Sequence, residues 1–73
     1  MQFAIEVEAD NADALDILVG ATERWLKSVE ATILERKRDE EDCIVAFVVN
    51  SKKDLSLMAS GKEIPGKYTI EPL

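Results

Sequence analysis

The chain has 73 residues, of which 47% are apolar and 33% charged, and its formal net charge is −6. That is one domain of polypeptide, with material for a core and too much charge for a membrane segment. The acidic balance disfavours direct nucleic-acid binding, and a single cysteine excludes an internal disulfide.

The longest apolar run, Cys43 to Val49, falls well short of the roughly 20 residues a membrane helix needs. Met1-Gln2-Phe3-Ala4-Ile5-Glu6 has neither the basic n-region nor the apolar h-region of a signal peptide. A cytoplasmic location is therefore expected. A domain this small without disulfides or metal has a modest core, so self-association is expected.

Residues 2–9 alternate, with Phe3, Ile5, Val7 and Ala9 on one face and Gln2, Ala4, Glu6 and Glu8 on the other. A period of two marks a strand with one face covered. Asp10 or Asn11 then reads as a helix N-cap. Leu15, Leu18, Val19, Thr22, Leu26, Val29 and Ile33 follow at helical spacing, which predicts one long helix over about 12–38. Arg36, Lys37 and Arg38 have the sign that suits its C-terminal end. Gly20 interrupts it off the centre of the apolar face, as a tolerated residue or as room for a close neighbour.

Asp39, Glu40, Glu41 and Asp42 read as an acidic helix-to-strand connector. Residues 43–49 are apolar at every position and rich in β-branched side chains, the pattern of a central strand covered on both faces. Ser51 can cap a short helix over 52–60 with Gly61 closing it; the alternation at Leu55-Ser56-Leu57 leaves a strand as the rival. Pro65-Gly66 reads as a type II turn, and Tyr68 and Ile70 alternate with Thr69 and Glu71 in a final edge strand.

The expected fold is a small α/β (or α+β) two-layer sandwich in the order β-α-β-α-β. It has a three-stranded sheet joined by parallel crossovers and one long helix, and dimerisation can extend it. The helix would carry a wide apolar surface, since Ala14, Ile17, Ala21 and Trp25 broaden the main stripe along one flank. These four are the candidate partner-binding residues. Trp25 is the candidate anchor, with packing in the subunit core as its competing role.

No constellation with catalytic chemistry emerges. The chain has no histidine, so Cys43 lacks the usual base, and at the head of an apolar strand it reads as a small buried hydrophobe. Asp39 to Asp42 lack the alternating acids and turn glycine of a calcium loop; they are a candidate charged contact for a basic partner. Glu6 and Glu8 read as a solvated face. Gly61-Lys62 has neither the glycine nor the hydroxyl residue of a phosphate loop. Lys52, Lys53, Lys62 and Lys67 form at most a weak basic patch. The expectation is a non-enzymatic interaction module with no cofactor and no metal: a homodimeric accessory, inhibitory or regulatory protein. The alternative is an acidic mimic of nucleic acid that inhibits a DNA- or RNA-binding enzyme.

Overall fold

The computed structural model describes residues 1–59 and 64–73 of the chain. The elements are β1 (Gln2–Glu8), α1 (Ala12–Ser28), β2 (Thr32–Asp39), β3 (Ile44–Asn50), α2 (Leu55–Met58) and β4 (Lys67–Pro72). They build an α+β domain around a four-stranded sheet in the order β2-β3-β1-β4. Every neighbouring pair is antiparallel. The β-α-β-β-α-β succession is that of the split βαβ motif.

This corrects the expected three-stranded sheet with parallel crossovers. The long helix over 12–38 is in fact α1 followed by β2. Asn11 is the N-cap of α1, its Oδ1 accepting the Ala14 N–H at 2.8 Å. The helix ends at Ser28 with no glycine. The N–H of Ala31 donates to the Leu26 carbonyl at 2.9 Å, and that of Glu30 donates to the Lys27 carbonyl at 3.2 Å. That pair of bonds is a Schellman closure, and Glu30 takes its left-handed position at φ 59°.

At 17 residues α1 is roughly 25 Å long, a match for the strands it covers. A helix over the expected 12–38 would overhang the sheet, and α1 does not. Gly20 does not make room for a close neighbour: a Cβ there would meet only the tip of the Arg24 side chain, at 3.4 Å.

The acidic run is not a helix-to-strand connector. Asp39 ends β2, and residues 40–43 turn the β2–β3 hairpin. Asp39 Oδ1 accepts the N–H groups of Glu41 and Asp42 at 3.1 and 3.3 Å, and Cys43 closes the turn at φ 51°.

Phe3, Ile5, Val7, Val45, Phe47 and Val49 point from the sheet into the core, where they meet Leu15, Leu18 and Leu26 of α1. Leu55 of α2 and Ile64 complete the same core. Residues 55–58 are thus helical, as the first of the two readings had it, although α2 is only one turn long and is capped by Asp54 rather than Ser51. Buried Ser51 instead accepts the Lys53 N–H at 3.1 Å. Gly61 as the closing cap falls outside the described residues. At Pro65 the Gly66 N–H donates to the Ile64 carbonyl at 2.9 Å, a three-residue turn in place of the type II turn.

β3 is central but, among the described residues, is covered on one face. Val45, Phe47 and Val49 are buried, while Ile44, Ala46 and Val48 are half-buried on the open side of the sheet.

Candidate interaction site

The two edges of the sheet are chemically unlike. β2 is charged from Glu35 to Asp39, and its two arginines reach over the core side to α1. Arg36 Nη2 lies 2.7 Å from Glu23 Oε1, with the guanidinium 5.7 Å from the centroid of the buried Phe47 ring. Arg38 Nη1 lies 2.7 Å from Asp16 Oδ1. The hydrogen bond to Asp16, aided by the negative charges of Asp16 and Glu40, pushes the Arg38 pKa above its ordinary value. Arg36 and Arg38 therefore tie an edge strand to the helix, and the run Arg36-Lys37-Arg38 does not end the helix.

On the other side, β4 pairs with β1 along one edge, and its Tyr68 and Ile70 lie half-buried against the core. The flank of α1 that faces this side is apolar. Ala14, Ile17 and Leu18 line a groove of 380 Å³ against Ala9, Pro65 and Gly66, with Glu8, Asp10 and Lys67 at its polar margin. Ile17 stands 65% exposed in it.

The structure thus divides the four candidate partner-binding residues. Ala14 and Ile17 share the groove. Ala21 and Trp25 lie outside it, half-buried, and Trp25 packs against the core cluster. Trp25 is about 16 Å along the helix axis from Ala14. The acidic candidates Asp39, Glu40, Glu41 and Asp42 are all exposed in the hairpin, at the end of the sheet where Glu8 lies.

The open face of the sheet escaped sequence reasoning because one of its four strands, β2, read as helix. Its centre is Ala4, Ile44, Ala46 and Val48. Around them stand the carboxylates of Glu6, Glu8, Glu35, Asp39 and Glu71, against the ammonium groups of Lys37 and Lys67. A depression of 270 Å³ lies there among Glu6, Glu8, Ile44, Lys67, Tyr68 and Thr69. No helix packs on this face among the described residues.

The basic residues do not gather. Lys52 and Lys53 follow β3 at the Gln2 end of the sheet, and Lys67 lies opposite Glu8 at the far end. Lys62 falls outside the described residues, as does the Gly61-Lys62 pair. Cys43 is half-buried, its Sγ 3.8 Å from the Glu40 carbonyl oxygen. Among the described residues no three His, Cys, Asp or Glu side chains are grouped to hold a metal ion, and no helix is long and apolar enough to cross a membrane. In comparisons with known proteins, no family model, no curated protein and no solved structure matches this chain.

Proposed function

We propose that this chain is a non-enzymatic protein–protein interaction module that works as a homodimer in a reducing, cytoplasm-type compartment, in an accessory, inhibitory or regulatory role. The observation that supports this most is the one-sided cover of the sheet. A core built on one face leaves Ile44, Ala46 and Val48 half-buried on the other, and an apolar groove lies between α1 and the start of β4. Contiguous apolar surface of this kind marks contact sites more often than solvent-facing ones. The lone free thiol, half-buried in a hairpin turn, suits a reducing compartment.

Sedimentation velocity at tens of micromolar tests the homodimer. The expected result is a reversible species of twice the subunit mass that dissociates on dilution. A clean monomer throughout contradicts it.

A second reading draws on the acidic open face: a mimic of nucleic-acid charge that blocks a basic enzyme. Five carboxylates on one surface support it; Lys37 and Lys67 on the same surface weaken it. Binding to a basic nucleic-acid enzyme that collapses at high salt would favour this reading. Salt-insensitive association would favour the apolar one.

A further inference from the structure

We propose that the outer edge of β4 pairs antiparallel with the same edge of a second copy, about a twofold axis at Thr69, so that two four-stranded sheets become one. This rests on the homodimer reading above and assigns its interface.

The hydrogen-bonding parity of β4 sets the register. The Leu73 N–H donates to the Gln2 carbonyl at 2.9 Å, so these two residues form a hydrogen-bonded pair of the β1–β4 ladder. Alternation along an antiparallel ladder then turns the backbone groups of Glu71, Thr69 and Lys67 toward β1. Those of Tyr68 and Ile70 point outward, with no backbone partner among the described residues. Pro72 also points outward, where it has no N–H to leave bare.

Only outward residues can bond across the edge, and Tyr68 and Ile70 are the pair available. Placing Tyr68 opposite the partner's Ile70, and Ile70 opposite the partner's Tyr68, lets each exchange both of its backbone bonds. The twofold axis then falls at Thr69.

The side chains suit that register. On the open face Lys67 comes opposite the partner's Glu71, and Glu71 opposite the partner's Lys67, in closely spaced non-hydrogen-bonded pairs. Neither residue makes an ion pair within the subunit among the described residues. On the core side an aromatic ring meets a β-branched chain, a favourable cross-strand pair.

Three exposed apolar side chains lie on this side, while Leu34, 52% exposed, lies on β2 at the other edge. Leu57, 83% exposed, sits on α2, which packs against β4. Leu73 directly follows β4, and Ile17 lines the groove beside Pro65 and Gly66.

The opposite edge is built against the same event. The Ser51 N–H donates to the Met1 carbonyl at 2.8 Å, and by the same parity Arg36 and Arg38 are the outward residues of β2. The register that uses both would set Arg36 against the partner's Arg38, Lys37 against the partner's Lys37, and Glu35 against the partner's Asp39. Like charges would face one another at each of these positions, a common way of protecting a sheet edge.

Charge reversal combined with cross-linking tests the proposal in the full chain. Lys67→Glu alone and Glu71→Lys alone should each weaken dimerisation about tenfold or more, because two symmetry-related pairs turn from attraction to repulsion. The double variant Lys67→Glu/Glu71→Lys should recover to within about threefold of the natural chain. Circular dichroism checks that each variant is folded. In a Cys43→Ala background, Thr69→Cys should form an intersubunit disulfide readily. The expected Cα separation of about 4.5 Å lies within the roughly 4.4–6.8 Å that the bond spans. Lys37→Cys on the other edge should not. A dimer indifferent to both single reversals, with Thr69→Cys failing to cross-link, overturns the edge pairing and leaves the homodimer reading standing. A monomer at every concentration overturns both.

Discussion

Arg38 and Asp16 are 22 residues apart in the chain and 2.7 Å apart in space, and their contact ties the exposed strand β2 to the helix that precedes it. Arg36 and Glu23 repeat the contact at 2.7 Å, one strand repeat and about two helical turns away. Together they explain how a strand whose last five residues are all charged holds its place at the edge of the sheet.

The two latches differ in worth. Arg36 also lies over the Phe47 ring, so Arg36→Ala should cost about 1 kcal/mol, near the upper end for an exposed pair. Arg38→Ala, which removes the ion pair with Asp16 but not the contact over the Phe47 ring, should cost less than Arg36→Ala. Urea unfolding of both variants at low and high salt measures the difference. The pKa of Arg38 is raised in the fold, so its contribution is present below the ordinary arginine value and is lost only as pH rises through the raised one. Titration of Arg38 should therefore produce no change in melting temperature between about pH 5 and 9.

Backbone conformation separates the glycines from the residues that replace them. Glu30 sits at φ 59°, so Glu30→Gly should stabilise the protein by about 0.5–1 kcal/mol. Gly20→Ala should stabilise it by a similar amount, because an added Cβ meets only a flexible arginine tip at 3.4 Å. Gly66→Ala should do the reverse. Gly66 adopts φ +153°, and a Cβ there would lie 2.7 Å from the Leu18 side chain, so a loss of about 2 kcal/mol or more is expected. Thermal unfolding of the three variants checks the signs.

The two faces of β3 should respond oppositely to mutation. Phe47→Ala removes a fully buried ring from the centre of the core and should cost about 3–5 kcal/mol, most of the stability of a domain this small. Val48→Ser, one residue along on the open face, should cost no more than about 1 kcal/mol in the dissociated subunit. Denaturant titrations at low protein concentration compare them.

The alternating strands were legible in the sequence, and the charged strand was not. Phe3, Ile5 and Val7 announce β1 because one side is buried and the other wet; Tyr68 and Ile70 mark β4 for the same reason. β2 carries no such period. Its core-side positions after Ile33 are arginines, satisfied only by acids of α1 that a linear reading does not bring near. Its borders were hidden as well. Both are set by left-handed residues, Glu30 and Cys43, where a glycine would have signalled a stop. With β2 read as helix, its share of the open face, Glu35, Lys37 and Asp39, has no place beside Glu6 and Glu8. Of the partner-binding candidates, the wheel grouped Ala14, Ile17, Ala21 and Trp25 by angle alone. Only the fold shows that β4 reaches the first two.

Residue-resolved amide hydrogen exchange as a function of protein concentration tests the pairing of β4 with a second copy most directly. In the dissociated subunit the outward amides of Tyr68 and Ile70 should exchange as fast as those of Arg36 and Arg38 on the other edge. Raising the concentration should slow Tyr68 and Ile70 while leaving Arg36 and Arg38 unchanged. Fast exchange at Tyr68 and Ile70 at every concentration, or protection that arises at Arg36 and Arg38 instead, would contradict it.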